Sequence, residues 1–448
     1  MTKISPARLA TFEILTKIDT EKAFSSVLLP FYEDKLAPND RALCHELTLG
    51  VLRRQIYLDK IIENFTNNKK LDTAIKIALR IGLYQVIFLD KIPAYSAINE
   101  SVNLVGKAKK TSAKGFVNAV LRRATREKIE FRFTDEIERL SIETSHPRWL
   151  IEKWIEQFGI EETGQLANAN NQISPVAFRL SGNFYRREAA TQNKILGEVQ
   201  SLSKESKFVK GCFIAERFDA SLLDLAESGE IYFQDEGSQA VGQAVDLREG
   251  ERFLDICAAP GSKTTQIALR QPAISNQKSA ISSRNFLAAG DVHFQRVKFL
   301  QVNCRKQAVE NVNIVQYDAE KSLPFADESF DCVLLDAPCS GTGTIRHNPE
   351  IRYFLNEKDF AGLFAKQLAI LQNASKLVKN GGKLIYSTCS LERDENEAVC
   401  ESFTADNNNF YQIKPDTPER FITSENFART FPQRDEMDGF FIAVFTRK

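Results

Sequence analysis

Beyond residue 250, short apolar runs alternate with longer amphipathic stretches, and this alternation restricts the possible folds more than any other feature of the chain. Strands that alternate with helices are typical of a parallel, doubly wound sheet. The predicted strands are 252–256, 286–291, 312–317, 331–335, 382–386, 409–413 and 439–445. The predicted helices are 262–270, 293–308, 359–379 and 394–405. The sequence therefore predicts an α/β domain over residues 241–448.

The first 128 residues have a different pattern, in which apolar residues recur at spacings of three and four. One such set would share a single helix face: Leu71, Ile75, Leu79, Leu83 and Val86. Only four glycines precede residue 150. The predicted helices are 5–19, 38–66, 71–90, 95–108 and 111–127, and their short connections favour a compact bundle. We expect an all-α domain over residues 1–128.

The residues between these two regions, 129–240, predict a linker followed by a small mixed α/β segment. A helix should run from about His146 to Phe158, and 174–180 has the pattern of a short strand. The polar stretch 271–285, within the third region, is predicted to be a surface loop. The chain is thus expected to have three parts.

The balance of charge differs between these parts. The whole chain has 59 Lys and Arg against 59 Asp and Glu, so its formal net charge is zero. Residues 1–128 hold 22 of the basic and 13 of the acidic residues, which gives +9 there and −9 in the remainder. A split of this kind is a hint of nucleic-acid contact, although a solvated helix surface is the commoner cause. Charge alone leaves both explanations open.

Composition excludes several other classes of protein. No apolar run approaches the roughly 18 residues that a membrane-spanning helix needs, and the first residues lack the apolar core of a secretion signal. The eight cysteines are scattered, with no C-x-x-C pair and no histidine at the spacing of a zinc ligand. We therefore expect a cytoplasmic protein with no membrane span, no metal site and no disulfide framework, in which most cysteines are buried apolar residues.

The first candidate site is the segment LDICAAPGSKTT, residues 254–265, where a strand enters a loop of small residues and then a helix. Ligands of open α/β sheets bind at such crevices, and small side chains let the backbone approach them closely. A helix N-terminus also favours a carboxylate or phosphate. A phosphate-binding P-loop is excluded, because that pattern needs glycine at Cys257 and Ser262, and the dinucleotide motif G-x-G-x-x-G is absent.

Two further predicted strands end in a carboxylate. Asp291 ends the second strand, where it could accept hydrogen bonds from a ribose diol, and Asp318 follows the third. Either aspartate alone is more simply explained as a helix N-cap. A small-residue loop and two aspartates at successive strand ends instead predict an adenosine-containing cofactor without a pyrophosphate.

The fourth and fifth strands each present a cysteine just beyond their carboxyl ends. Cys339 lies in DAPCSGTG, residues 336–343, and Cys389 lies in STCS, residues 387–390. If the two strands are sheet neighbours about 4.8 Å apart, both sulfurs can face one crevice. Free cysteine is usually buried in a core, but two cysteines beside a predicted cofactor crevice favour a catalytic pair.

The three segments DICAAPGSKT, DAPCSGTG and STCS resemble the signatures of the Sun family of RNA (cytosine-5) methyltransferases, and YFQDEGSQAVG and IRHNPEIRY agree with it. The N-terminal region, with KGFVNAVLRR at 114–123, is similar to the NusB RNA-binding helical fold. The resemblance covers nearly the whole chain. It implies a Rossmann-like methyltransferase domain after a NusB-like domain, S-adenosyl-L-methionine as cofactor, and a cytosine of 16S rRNA as substrate. It also implies that 129–240 contact RNA and that the protein acts as a monomer.

Carried over residue by residue, the resemblance implies a role for each motif position. Cys389 would be the nucleophile, Cys339 would assist product release, and Asp336 would contact the base and border the cofactor. Asp336 would have to be protonated when it acts on the base. The residues implied to bind the cofactor are Cys257, Ala258, Ala259, Pro260, Gly261, Ser262, Lys263, Asp291, Asp318 and Asp336.

Two departures from the family pattern and one open assignment concern the cofactor motif. Ser262 stands where the family usually has a second glycine, and the loop at 271–285 is longer than usual before Asp291. Lys263 could pair with a carboxylate of the cofactor or simply lie on the helix surface.

Three functions remain compatible with the sequence. The first is methylation of 16S rRNA, the second is the same chemistry on tRNA or 23S rRNA, and the third is a non-catalytic RNA-binding or assembly factor. The presence of Asp336, Cys339 and Cys389 together argues against the third. Which cytosine is modified, and whether naked RNA or an assembling particle is the substrate, does not follow from the sequence.

Overall fold

The computed structural model describes residues 4–270 and 285–448, so the predicted loop at 271–285 lies outside the described residues except for Asn285. The described chain forms two compact units. The first comprises the residues up to Ile173 together with Ile345–Glu357, and the second comprises Ser174–Thr344 and Lys358–Lys448.

The first unit is helical, as the spacing of its apolar residues predicts. Its helices are α1 (Pro6–Glu21), α2 (Ser25–Glu33), α3 (Pro38–Arg53), α4 (Gln55–Thr66), α5 (Thr73–Phe88), α6 (Ala94–Lys107), α7 (Lys114–Ala124), α8 (Glu136–Thr144), α9 (Arg148–Phe158) and α10 (Ile160–Ala169). One continuous core, which includes Leu47, Ile81 and Leu121, joins α1 to α7. Burial of these side chains, at about 25 cal/mol per Å², stabilises the bundle.

Two details of this unit differ from the sequence-based prediction. The predicted single helix 38–66 is wrong, because the backbone leaves helical geometry at Arg54, with φ −115° and ψ 16°, and a separate helix, α4, begins at Gln55. Helix α2 was not predicted, since it holds an internal proline, Pro30, and buries only Ser25 and Leu29, which leaves almost no periodic signal.

The second unit begins with a small antiparallel sheet. Its elements are β1 (Ala177–Leu180), α11 (Gly182–Tyr185), α12 (Ala189–Leu202), β2 (Ser203–Glu205), β3 (Cys212–Ala215), α13 (Ala220–Glu227) and β4 (Ile231–Phe233). The strand order is β2-β3-β1-β4, and each pairing is antiparallel. Phe178 and Leu222 are fully buried between the sheet and its helices, so the sheet has an apolar core of its own.

The large sheet follows in the same unit. The elements of this region in chain order, with α17 of the first unit inserted between β8 and α18, are α14 (Glu236–Gln243), β5 (Arg252–Asp255), α15 (Ser262–Leu269), β6 (Phe286–Asp291), α16 (Phe294–Lys306), β7 (Val312–Gln316), β8 (Phe330–Asp336), α17 (Ile351–Phe354), α18 (Asp359–Lys376), β9 (Val378–Thr388), α19 (Glu397–Asp406), β10 (Phe410–Ile413), β11 (Ala428–Arg429), α20 (Pro432–Asp435) and β12 (Phe441–Arg447). The strand order is β10-β12-β9-β8-β5-β6-β7, and β11 pairs with β12. Successive side chains of a strand point to opposite faces. Accordingly Leu254 and Val333 enter one core, while Phe253 and Leu334 enter the other.

The sheet is mixed, so the prediction of a parallel sheet is wrong for its last strands. Strands β7, β6, β5, β8 and β9 pair in parallel, but β12 is antiparallel to β9, β10 and β11. A run of apolar residues such as Phe441–Arg447 predicts a buried strand without indicating its direction. The direction of a strand depends on the path of the preceding chain. Here the chain passes through β10 and β11 before β12 pairs with β9. No helix of the described chain combines the length and hydropathy needed to cross a bilayer.

The segment Ile345–Glu357, which contains α17, belongs to the first unit although it lies between β8 and α18 in the sequence. Glu350 is fully buried and accepts hydrogen bonds from the Ser25 backbone N–H at 2.6 Å and from the Ser25 hydroxyl at 3.0 Å. Arg352, also fully buried, donates to the Thr144 carbonyl at 3.2 Å and to Asn171 at 3.0 Å. The motif IRHNPEIRY is therefore part of the framework of the helical unit.

Candidate active site

The loop between β5 and α15 is held close to the sheet by backbone contacts. The Ala258 N–H donates to the Gly290 carbonyl at 2.9 Å, which joins the loop to β6. Gly261 has φ +101°, and a Cβ there would lie 2.6 Å from Leu300 Cδ1. Glycine is required at this position because other residues rarely adopt such a φ and because α16 packs too closely.

Asp255, the last residue of β5, is a buried carboxyl group beneath this loop. Its Oδ2 accepts a hydrogen bond from the Thr264 hydroxyl at 2.6 Å, whereas its Oδ1 has no hydrogen-bond partner among the described residues. Burial raises the pKa of Asp255 to about 7. Burial likewise raises the pKa of Cys257, two residues after Asp255, so this thiol is neutral.

The two strand-end aspartates have different surroundings. Asp291 is buried, lies 3.3 Å from Arg296 Nη2, and accepts the His293 N–H at 3.3 Å. Arg296 also donates to the Ala259 carbonyl at 2.8 Å, so it joins this carboxylate to the small-residue loop. Asp318, at the end of β7, is partly exposed and pairs with Lys321 at 3.0 Å, which lowers its pKa.

Lys263 and Asp336 form an ion pair between α15 and the end of β8. The Lys263 ammonium donates to Asp336 Oδ2 at 2.6 Å, and the Ser387 hydroxyl donates to Asp336 Oδ1 at 2.8 Å. Burial alone would lower the pKa of Lys263, but the charges of Asp336, Cys389 and Asp255 outweigh it and raise that pKa. Lys263 is only 8% exposed, so the alternative of a helix-surface lysine is wrong.

Cys339 and Cys389 face each other in the same crevice. Strands β8 and β9 are parallel neighbours with Asp336 opposite Ser387, and the two Sγ atoms beyond them lie 3.3 Å apart. The contact with Cys389, and then burial, raises the pKa of Cys339 well above its ordinary value. Two thiols in contact do not ionise together cheaply, so the pair is suited to hold one thiol and one thiolate.

A buried carboxylate, Glu395, lies behind the cysteines. Its Oε1 accepts the Ser340 N–H at 2.8 Å and the Gln367 amide at 2.9 Å. Its Oε2 accepts the hydroxyl of Ser340 and, at 2.5 Å, that of Ser390. The residue after each cysteine is thereby hydrogen-bonded to the same side chain, which is fully buried.

The structure brings most of the predicted site residues together. The loop 257–263, Asp291, Asp336 and the two cysteines lie at the carboxyl ends of the adjacent strands β6, β5, β8 and β9. Asp318 lies one strand further along the same edge and pairs with its own neighbour. The other five cysteines are buried, as expected: Cys44, Cys212, Cys304, Cys332 and Cys400.

Three residues with defined roles in this geometry were not predicted from the sequence. Asp255 had a signal, since a carboxylate that ends an apolar strand is unusual. Arg296 and Glu395 had none, because Arg296 lies in a basic helix and Glu395 in the charged stretch ERDENE, which reads as a solvated surface.

A group of basic residues in the first unit lies on α6 and α7 and the turn between them. Lys107, Lys109 and Arg122 are exposed, while Lys110 pairs with Asp72 at 2.8 Å and Arg123 with Glu127 at 2.7 Å. Exposed pairs of this kind contribute little to stability.

The helical unit and the mixed sheet, with its small-residue loop, define the class: a NusB-type helical domain joined to a methyltransferase domain of the S-adenosylmethionine-dependent type. Comparison with known families agrees. Residues 242–446 match the family described as 16S rRNA methyltransferase RsmB/F, and residues 5–126 match the NusB family. Residues 146–193 match the ferredoxin-like domain of RsmF/B-like methyltransferases.

Individual proteins extend the comparison over the whole chain. The probable ribosomal RNA small subunit methyltransferase B of Bacillus subtilis is 31% identical, with 100% of both chains covered. The crystal structure of PH0851 superposes with a TM-score of 0.82 over 99% of each chain at 24% identity. NSun6 from Pyrococcus horikoshii, solved with SFG, an analogue of S-adenosylmethionine, has a TM-score of 0.56 at 20% identity over 67% of this chain and 98% of its own. The two structures show the shared fold. The chain belongs to the RsmB/F family of 16S rRNA methyltransferases.

Proposed function

We propose that the protein transfers a methyl group from S-adenosylmethionine to carbon 5 of a cytosine in 16S rRNA, through a covalent intermediate on Cys389. The observation that carries the proposal is the 3.3 Å contact between Cys339 and Cys389 in the crevice that also holds the Lys263–Asp336 pair. A single thiol would suffice for a covalent intermediate. A second thiol in contact with it suits an enzyme that must also release its product.

The residues at the ends of β5 and β6 fit the proposed cofactor. Oδ1 of Asp255 is buried beneath the loop and has no partner among the described residues, which suits the ammonium group of the cofactor. Gly261 has no side chain, so the cofactor can approach the backbone there. Asp291 would accept the ribose hydroxyls. The other residues proposed to hold the cofactor are Cys257, Ala258, Ala259, Pro260, Ser262, Lys263, Asp318 and Asp336. When bound, S-adenosylmethionine supplies an electrophilic methyl group.

Cys389 is the proposed nucleophile because carbon 5 of cytosine is too weak a nucleophile unaided. Addition of the Cys389 thiolate to carbon 6 forms a sulfur–carbon bond and turns the ring into an enamine, whose carbon 5 carries the electron pair that takes the methyl group. The thiolate is the attacking form, and the ammonium of Lys263 provides a nearby positive charge that favours it.

The Lys263–Asp336 pair is proposed to act at ring nitrogen 3, where charge develops during the addition. Asp336 would contact the base, and the 2.6 Å hydrogen bond gives it a proton donor of its own in Lys263. In this proposal Lys263, hydrogen-bonded to Asp336, is the source of the proton for the base. The motif alone suggests instead that Asp336 is itself protonated. A positioned acid of this kind contributes roughly 10²–10⁴-fold to the rate.

Cys339 is proposed to promote the last step. The carbon-5 proton passes to a water molecule, the electron pair of its carbon–hydrogen bond restores the double bond between carbons 5 and 6, and the Cys389 sulfur departs as a thiolate with the electrons of the sulfur–carbon bond. The contact with Cys389 raises the pKa of Cys339, so the Cys339 thiol can donate a hydrogen bond to the departing Cys389 sulfur. The two cysteines thus differ in role although they share one crevice.

Substitution of each cysteine tests these assignments. We expect Cys389→Ala to abolish methylation while cofactor binding persists, and Cys339→Ala to accumulate a protein–RNA adduct, seen as a slower band on a denaturing gel. Cys400→Ala, at a buried cysteine of α19, is the matched control and should methylate normally. Turnover by Cys389→Ala would contradict the nucleophile, and normal turnover by Cys339→Ala without an adduct would contradict the release role.

The RNA is proposed to be held by residues 1–128, and by the small α/β segment within 129–240, while 241–448 carry out the reaction. Phosphate contacts by the basic side chains of α6 and α7 would position the RNA without reading its sequence. The target base must leave its stack to reach the cysteines, which favours a loop or exposed nucleotide. Bisulfite sequencing of cellular RNA with and without this gene distinguishes 16S rRNA from tRNA or 23S rRNA as substrate.

A further inference from the structure

We infer that Glu395 is a positioning residue that ties the two cysteine-bearing loops together, so that Cys339 and Cys389 meet the same base. The inference rests on the proposed function for its catalytic meaning. Its structural content, the dependence of the cysteine separation on Glu395, stands on the hydrogen bonds alone.

Only a few hydrogen bonds join the two loops once the strands end. Parallel pairing of β8 with β9 stops at Asp336 and Ser387, and two further backbone bonds join the Ala337 N–H to the Ser387 carbonyl at 2.8 Å and the Gly343 N–H to the Cys389 carbonyl at 2.9 Å. The Leu391 N–H also donates to the Thr342 hydroxyl at 2.9 Å. The cysteines lie beyond this point and are separated by 50 residues of chain. Their separation therefore depends on contacts made by the loops themselves.

Glu395 adds side-chain contacts to both loops at once. One oxygen accepts the Ser340 N–H, and the other accepts the hydroxyls of Ser340 and Ser390. Gln367, from α18, binds both Glu395 and the Pro338 carbonyl, so it holds the carboxylate against the Cys339 loop from the other side. Each cysteine is covalently adjacent to a residue that this one side chain fixes.

The position of Glu395 is itself constrained. Its backbone carbonyl accepts the Tyr386 hydroxyl at 2.5 Å, and Tyr386 belongs to β9. All its described side-chain partners are neutral donors, with no cation among them in the described chain. Burying a carboxylate whose four donors are all neutral costs free energy, so a role in filling space alone does not explain Glu395. Its two oxygens match the arrangement of the donors from the two loops.

The substitution Glu395→Ala removes every one of these hydrogen bonds, whereas Glu395→Gln keeps the shape. In the glutamine variant the amide oxygen can accept from Ser340 N–H and Gln367, while the amide nitrogen can donate to the two hydroxyls, which accept equally well. Glu397→Ala is the matched control, because Glu397 is a buried carboxylate two residues away that pairs with Arg429 at 2.7 Å.

The rate of disulfide formation between Cys339 and Cys389 measures the loop positions independently of methylation. Added diamide takes the two thiol hydrogens and two electrons onto its azo bond, and the linked peptides are quantified by mass spectrometry. Misplacement by about 1 Å can cost roughly 100-fold in a proximity-dependent step. We expect Glu395→Ala to slow this disulfide at least tenfold and Glu395→Gln and Glu397→Ala to stay within threefold of the unaltered protein. Single-turnover methylation should follow the same order, with the affinity for cofactor unchanged.

The outcomes separate the inference from the proposed function. Equal disulfide rates in Glu395→Ala and the unaltered protein would overturn the positioning role, as would equal damage from Glu395→Gln and Glu395→Ala. Retained methylation in Cys389→Ala would instead overturn the proposed function and leave the disulfide result standing. If Glu395→Ala does not fold, Ser390→Ala removes the tie to the Cys389 loop alone, and an unchanged disulfide rate in that variant contradicts the inference.

Discussion

Two parts of the candidate site, on the same edge of one sheet, are built in opposite ways. We call Cys257–Gly261 and Asp291, which are proposed to bind the cofactor, the cofactor edge, and we call 336–340 and 388–390 the cysteine edge. The cofactor edge is shaped by backbone geometry, as in the positive φ of Gly261 and the bond from Ala258 to Gly290. The cysteine edge is shaped by buried side chains, with Glu395 at their centre.

The difference indicates how precisely the residues of each edge must be positioned. A cofactor bound by many contacts tolerates small shifts in any one of them. Two sulfurs that are proposed to act on one base must be placed together, and side chains that bridge separate loops favour this placement. Lys263, which leaves the cofactor loop and reaches Asp336 at 2.6 Å, connects the two edges.

The largest expected effect comes from breaking this connection. Lys263→Met removes the proton donor beside Asp336 while keeping an unbranched chain of similar length, so methylation should fall by roughly 10²–10⁴-fold. Single-turnover kinetics measure the loss. A cofactor dissociation constant that rises by the same factor would show that Lys263 serves the cofactor edge alone. Lys298→Met, on the exposed side of α16, is the matched control and should retain activity.

The second prediction concerns the free energy of unfolding and depends on Asp255, which lies beneath the loop of the cofactor edge. Burial raises the pKa of Asp255 from 3.8 to about 7, so the folded state holds this proton more tightly than the unfolded state. The resulting stabilisation is complete below about pH 4 and is lost as the pH rises to about 7, a change of roughly 4 kcal/mol in the free energy of unfolding.

Asp255→Asn tests this pH dependence, because its amide oxygen still accepts from Thr264 and does not titrate. Urea unfolding of both proteins at several pH values should show the stability of the unaltered protein falling relative to the variant between pH 4 and 7. Parallel curves for the two proteins would mean that the Asp255 pKa is not raised.

A smaller effect is expected from the backbone of the cofactor loop. Gly261→Ala places a Cβ 2.6 Å from Leu300 and on a backbone with φ +101°, at a cost of about 1–2 kcal/mol. Cofactor affinity, measured by calorimetry, should fall about tenfold because 1.4 kcal/mol corresponds to that factor. The rate of Cys339–Cys389 disulfide formation should not change. Gly362→Ala, at a helical site with open space around it, is the control, and equal losses in the two variants would contradict the argument.

The smallest effect should come from residues that belong to neither edge. Replacing Arg122 and Arg126 by alanine removes two exposed charges from the helical unit, so RNA affinity should fall a few-fold and the salt slope by about 0.7–0.9 per lost phosphate contact. Filter binding at several salt concentrations measures both. The single-turnover rate at saturating RNA should stay the same, and Arg139→Ala, whose side chain pairs with Glu136 and Glu143, serves as control. An unchanged salt slope would mean that RNA does not contact Arg122 and Arg126.

The cofactor edge could be predicted from the sequence because its residues are neighbours in the chain. Small residues between an apolar strand and a helix specify the loop locally, and β6 (Phe286–Asp291) was predicted with its observed bounds. Most of the helical unit was predicted for the same reason. The break at Arg54 was missed because apolar spacing continues across it.

The cysteine edge could be predicted only in part. The motifs indicated Cys339 and Cys389, and the expectation that their strands are sheet neighbours is confirmed. Glu395 could not be predicted, because its partners are 55 and 28 residues away along the chain and its own surroundings in the sequence are charged. The antiparallel direction of β12 was missed for a similar reason, since long-range pairing leaves no local pattern.

The segment Ile345–Glu357 also has a consequence for the order in which the chain is made. Synthesis proceeds from the N-terminus, and N-terminal domains generally fold first. Here the helical unit lacks the Glu350 cap on Ser25 and the buried Arg352 until residue 357 has left the ribosome, about four-fifths of the way through synthesis. The first unit to emerge therefore completes its folding only after β8 and the first cysteine loop of the second unit exist, and a chain truncated before residue 345 leaves both units unfinished.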